Sequence, residues 1–173
     1  MIIDIVIAVI FIYIGIIGFR RGIWLSAIHL ITTIFALWMA QRYYLQIAQR
    51  LELFVPYPKT RAYDMNFAFQ FDNLQQRFEH IVAFVTIALI TKIICYGIIA
   101  IFDYTLKQKL PNITSRLCGM ILSVIPSLSI NVILLYSCAI YPNATIQQQL
   151  SHSIIAEHIL LHIPFISMFI TQL

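Results

Sequence analysis

The sequence predicts an all-α membrane protein: a single membrane domain of about four transmembrane helices plus an amphipathic interfacial helix at the C-terminus. Composition is the first reason. Of 173 residues, 61% are hydrophobic and 10% charged, and mean hydropathy is +0.87. A soluble domain carries about 45–50% apolar and about 25% charged residues. A core of this size cannot hide so much apolar surface from water, so a bilayer must serve as a second apolar solvent. The second reason is that the apolar residues fall in runs of about 20, enough to cross about 30 Å of hydrocarbon. The third is that lipid offers no partners for N–H and C=O groups. Each run must satisfy its own backbone and is therefore helical, despite its Ile and Val content.

The first two runs cover residues 2–19 and 22–40, separated only by Arg20 and Arg21 within the stretch IIGFRRGIW. One continuous helix of about 39 residues would be about 58 Å long, far more than the hydrocarbon thickness. The spacing therefore predicts a helical hairpin. Gly18 and Gly22 bracket the arginines and can supply the backbone that a tight turn needs. Arg20 and Arg21 then sit at the membrane face, with their heads in water or on lipid phosphate. The third run, 81–102, is interrupted by Lys92, and the fourth, 117–140, contains Pro126 and Asn131.

Between the second and third runs lies a loop, 41–80. Leu45, Ala48, Leu51 and Val55 continue the second helix as an amphipathic extension at the interface. Pro56 and Pro58 stop it. The stretch MNFAFQFDN alternates as a strand does, yet Phe67, Phe71, Leu74 and Phe78 also fit helical spacing, and periodicity does not decide between them. After the fourth run, the Tyr141–Asn143 turn leads to one further helix, 144–163. Its apolar residues Ile146, Leu150, Ile154, Ile155, Ile159 and Leu161 oppose three glutamines and three histidines, and Pro164 ends or kinks it. It is expected to lie on the outer surface. The tail PFISMFITQL is apolar but too short to cross.

Charge sets an expected orientation. Arg20 and Arg21 in the first turn, and Lys107, Lys109 and Arg116 between the third and fourth runs, face one acid on the same side. The long loop balances five basic residues against four acids, and the C-terminal segment has no Lys or Arg. The positive-inside rule then places the short turns in the cytoplasm of a cell-membrane protein, with both termini and the long loop outside. A net charge of +4, dispersed along the chain, gives no argument for nucleic acid. No cleavable leader is recognised, so the first run is expected to remain in the mature protein. The three cysteines, all inside apolar runs, read as packing residues.

Among polar residues, Lys92 stands out. A lysine near the middle of a span costs about 3 kcal/mol on insertion scales, so it is expected to face a partner or a wet cavity. Helical rise gives His29, Thr32, Thr33 and Asn131 as candidate hydrogen-bond neighbours. Asp4, near the outer face, reaches Lys92 only if the first span starts deeper or the lysine snorkels outward. A polar cluster holding helices together is the first reading, and a path for an ion, proton or solute the second. His158 and His162 are four apart, but no acid lies between them as a metalloprotease motif requires, so no metal or other cofactor is expected. Arrangements for nucleophilic or phosphate chemistry are absent from the sequence, and an enzyme is not expected.

Several stretches together resemble the bacterial colicin V production (CvpA) family. Asp4, the first apolar run and GFRRGIW are similar to its opening segment, and WMAQRYY follows in order. SRLCGMILSVIPSL resembles its glycine-containing second block, and QQQLSHSIIAEHILLHIPFIS its ending in low-GC Gram-positive bacteria. Asp4, Arg21, Gly22, Arg116 and Gly119 match the motifs. Ser123 and Pro126–Ser127 depart from them, standing where a second glycine and an Arg-Gly pair are usual, so the fourth span is expected to kink at Pro126. The resemblance implies a multi-pass membrane protein linked to colicin V production or export and to envelope physiology, with no catalytic activity or solute to carry over. The expected partners are the lipid bilayer, and either further copies of the chain as a homo-oligomer or an export or envelope membrane protein.

Overall fold

A computed structural model describes residues 2–51, 54–62, 65, 67–69, 71, 73–106 and 111–162. The helices are α1 (Ile2–Leu51), α2 (Lys59–Ala62), α3 (Leu74–Leu106), α4 (Ile113–Leu122), α5 (Val124–Ile140), α6 (Ala144–Ser151) and α7 (Ile154–His162), with no strand among the described residues. Three stretches are long and apolar enough to cross a membrane: Ile2–Leu51, Leu74–Ile101 and Ile113–Ile140. The first is two legs joined at a bend, so the bundle has four legs of membrane-spanning length.

The bend is at Gly22, whose φ of 75° and ψ of −178° interrupt α1. This left-handed φ is open to glycine and strained for other residues. Ser26 Oγ donates to the Gly18 carbonyl across the bend at 3.3 Å. In a straight helix those two residues would be separated by about 12 Å of rise. The reversal is complete, because both ends of α1 reach the same end of the bundle. Ile2 N donates to Gln149 Oε1 on α6, and the Tyr44 ring lies 5.3 Å from His80 early in α3. In turn Phe78 lies 6.5 Å from Tyr141, just past α5. The turn is thus made by one glycine, not two. Gly18 stays helical, and Arg20 and Arg21 are the last helical residues before the bend rather than its loop.

At the other helix boundaries local chemistry decides. The second leg runs on to Leu51 without interruption and stops ahead of Pro56 and Pro58, leaving Val55 outside it. The described residues of MNFAFQFDN form neither strand nor helix, and regular helix begins only at Leu74. The fourth span breaks at Ser123 rather than at Pro126. A proline ring crowds the carbonyl four residues back and cannot donate to it, so the disturbance falls at Leu122 and Ser123. Ser123 Oγ donates to the Met120 carbonyl at 2.6 Å and steadies the break.

The C-terminal helix is divided at His152–Ser153 into α6 and α7. Its inward face differs from the expected apolar stripe: Gln147 and Ser153 are buried, while Ile155 is exposed. Gln147 points its amide N–H groups at the carbonyls of Cys138, Ala139 and Tyr141, 3.0–3.2 Å away, closing the end of α5. Its Oε1 accepts from Ala68 N at 3.0 Å. A buried glutamine that satisfies several backbone groups is stable where an aliphatic side chain would leave them orphaned. Residues 163–173, including the apolar tail, lie outside the described residues.

The core gathers at the α6–α7 end, where Phe84, Leu135, Tyr136, Ile140 and Leu150 are almost completely buried. Toward the bend, large apolar side chains such as Ile93, Ile121 and Trp24 are exposed, as lipid-facing residues of a spanning helix are.

Candidate functional site

Lys92 sits on α3 beside the second leg of α1. Its ammonium donates to the His29 carbonyl at 2.8 Å, to Thr32 Oγ1 at 2.9 Å and to Thr33 Oγ1 at 2.6 Å. An ammonium has three N–H donors, and here each finds an oxygen. Both threonines also donate to the same His29 carbonyl, at 3.0 and 2.7 Å. This back-bonding is open to Ser and Thr within a helix; here it leaves their lone pairs toward α3. The His29 ring itself is buried and lies 5.6 Å from Tyr96. Three of the four neighbours expected from helical rise thus surround Lys92, one of them through its backbone.

Asn131 is not among them. Its Nδ2 folds back onto the Ser127 carbonyl of its own helix at 3.0 Å. The Oδ1 of Asn131 and the Oγ of Ser127 are buried and find no hydrogen-bond partner among the described residues. Asp4 is also elsewhere. It accepts from Ser153 Oγ at 2.6 Å, and Ser153 Oγ in turn accepts from Ala156 N at 3.1 Å, capping α7. Asp4 therefore holds the C-terminal helix against the start of α1.

Gly22 and Gly119 meet where the hairpin crosses α4. A Cβ added to Gly119 would lie 2.5 Å from the Gly18 carbonyl oxygen and 2.8 Å from Gly22 backbone atoms. One added to Gly18 would lie 2.6 Å from the Gly119 oxygen. The Gly18–Gly22 pair, which reads as a turn in the sequence, is therefore also a packing seam, of the small-residue kind that lets membrane helices approach backbone to backbone. Beside it, Ile23 N donates to Ser115 Oγ at 3.1 Å.

The arginines border this seam. Arg20 is exposed. Arg21 lies over the Tyr96 ring at 5.9 Å. Arg116 lies over Phe19 at 5.9 Å and donates from Nε to the Pro111 carbonyl at 3.1 Å. Sequence reasoning did not find Gln147, Ser153, Tyr96 or Ser115. Ser153, immediately before the apolar helical run that starts at Ile154, carried a weak capping signal. The others carried none.

Four spanning legs locked by a glycine seam, with polar groups spent on holding helices together, define a multi-pass integral membrane protein. A family model described as colicin V production protein matches residues 3–164, and the chain belongs to that family. It is also similar to YshB, an uncharacterized transmembrane protein of Bacillus subtilis (strain 168), at 24% identity over 170 residues, which is 98% of this chain and 96% of the relative. No solved structure matches it.

Proposed function

We propose that this protein is a non-catalytic component of the bacterial cell membrane that supports bacteriocin production or export and envelope homeostasis. In this reading it acts by holding partners, either a second copy of itself or an export or envelope membrane protein. The observation that carries it is the state of Lys92. All three of its donors are taken by α1, which is what a fixed tie between helices requires and leaves no N–H for a solute. The short turns lie in the cytoplasm, with the termini and the long loop outside, following the density of Lys and Arg.

Complementation tests this. A Lys92→Leu variant that is stable and restores the phenotype of a null strain supports the scaffold. A folded but inactive variant with altered ion flux overturns it. Cysteine labelling from outside intact cells tests the orientation: reaction at position 148 but not at 107 is expected, and the reverse refutes it. Proteins that co-purify from membranes identify the partner.

A second reading, a small channel or transporter subunit with Lys92 lining the path, draws on a separate observation. Ser127 Oγ and Asn131 Oδ1 are buried acceptors in the fourth span, and buried polar atoms of this kind are usually satisfied by water or an ion. Ion flux through purified protein in vesicles, lost on Asn131→Leu, would favour it.

A further inference from the structure

We propose that a cleft between α3 and α5 binds one acyl chain of a membrane phospholipid, taken from the leaflet at the α6–α7 end. The cleft has a volume of about 350 Å³ and is open at the surface of the bundle. Phe78, Ile81, Val82 and Val85 line it from α3, Cys138 from α5 and Ile146 from α6. Phe78 and Ile81 are buried, while Val82 and Val85 are half-buried.

Its depth matches one leaflet. At the upper end Phe78 lies 6.5 Å from Tyr141, just past α5. At the lower end stands Thr86, eight residues further along α3 and so about 12 Å deeper. Half the hydrocarbon thickness is about 15 Å. Tyr141 also lines the cleft and sets an aromatic ring at its mouth, the level at which tyrosines sit beside headgroups.

The lining gives a polar guest no strong donor. Thr86 Oγ1 donates to the Val82 carbonyl and Ser137 Oγ to the Ile133 carbonyl, each at 2.7 Å, so both hydroxyl protons are spent within their own helices. Apolar cavities of about 150 Å³ stay dry and take up benzene, and by that measure this cleft holds about a dozen carbons. A second helix does not fit. With side chains it is about 10–12 Å across, so a 12 Å length of it fills about 1,000 Å³. An acyl chain is thin, apolar throughout and present at this depth, and only a filled cleft gives its walls packing partners. The bound chain thus closes the gap between α3 and α5, unlike lipid that coats the outer surface. This site shares no residue with the Lys92 tie and does not depend on the scaffold reading.

Photolabelling of the full-length parent protein tests this. The probe is phosphatidylglycerol with a diazirine midway along one acyl chain, present in trace amounts in vesicles of phosphatidylethanolamine and phosphatidylglycerol. Val6 and Val9 are the reference: they carry the same side chain as Val82 and Val85, are exposed, and lie about 6–10 Å below Ile2 on the first leg. Val82 and Val85 are expected to take up label about fivefold more than this pair, the ratio that a preference of about 1 kcal/mol gives, although they are less exposed. Val85→Phe, which fills the cleft, should bring labelling at Val82 down to the reference level and leave Val6 and Val9 unchanged. Equal labelling of cleft and reference in the parent means bulk lipid only and overturns the proposal, whether or not V85F folds. Cleft labelling that appears only after deletion of residues 164–173 makes the chain's own end the occupant. Labelling that falls as the protein-to-lipid ratio is raised makes the occupant a second copy, and either result overturns the proposal too.

Discussion

Replacing Gly119 with alanine adds one methyl group at the tightest point of the bundle. The new carbon would lie 2.5 Å from the Gly18 carbonyl oxygen and 2.8 Å from the Gly22 carbonyl carbon and oxygen, where real side chains essentially never come within 3.0 Å. The obstacles are backbone atoms, so the hairpin and α4 must move apart by at least about half an ångström. Overpacking of this kind costs about 1–3 kcal/mol. For a chain of this size each kcal/mol lowers Tm by about 2–4 °C, so G119A is expected to melt several degrees below the parent. The assay is thermal unfolding in detergent followed by far-UV circular dichroism. Gly97 supplies the control. Nothing lies within 4 Å of a Cβ built there, and alanine is favoured over glycine in a helix by about 1 kcal/mol. G97A should therefore hold or raise Tm. The packing argument is refuted if G119A melts with the parent, or if G97A falls as far as G119A.

Removing the Thr32 and Thr33 hydroxyls with valines strips two of three acceptors from a charged donor and is expected to cost about 2–4 kcal/mol; in a Lys92→Leu background the same pair should cost little, and a double-mutant cycle measures the difference. Tyr57→Phe removes a buried hydroxyl with no hydrogen-bond partner among the described residues and should leave stability unchanged or raise it by about 1 kcal/mol. Burial pushes the Tyr57 hydroxyl above its ordinary value near 10. Its folded form therefore holds its proton longer than the unfolded chain does. Stability from this group is complete below the unfolded value and is lost as pH rises through the folded one, so the parent should lose Tm more steeply than Y57F between neutral and strongly alkaline pH. Ser153→Ala removes the α7 cap and the donor to Asp4, at about 0.5–2 kcal/mol, and hydrogen exchange of residues 154–162 should accelerate while that of the spanning legs stays unchanged.

Much of the bundle can be read in the residues. Two apolar runs of spanning length, separated only by Arg20 and Arg21, admit a hairpin and exclude one straight crossing helix, and the bend is where glycine stands. The seam could not be read the same way. In water, a buried helix face stands out because the opposite face is polar. In lipid both faces are apolar, so Gly18, Gly22 and Gly119 carry no periodic signal of which neighbour they touch. Gln147 was misjudged for a related reason. As a polar residue in an amphipathic helix it belongs outside, and only carbonyls at the end of another helix make the inside favourable. Ser123 shows how a proline acts one turn before itself, a displacement that follows from hydrogen-bond geometry. Lys92 was conspicuous because an ammonium in hydrocarbon demands an explanation, whereas the Asp4–Ser153 pair joins residues 149 positions apart and no local pattern announces it.

A charge inside the hydrocarbon also feels the membrane voltage. The oxygens that hold Lys92 lie about 10–16 Å along the second leg from the bend, between about a third and a half of the hydrocarbon thickness. A full crossing is worth about 2.3 kcal/mol per elementary charge per 100 mV. Lys92 therefore experiences about 1 kcal/mol at such a potential, comparable to one ordinary hydrogen bond. It is held by three, each to a charged donor. A membrane potential of that size would pull on α3 through this residue without detaching it, so the second and third spans stay joined with or without a voltage across them.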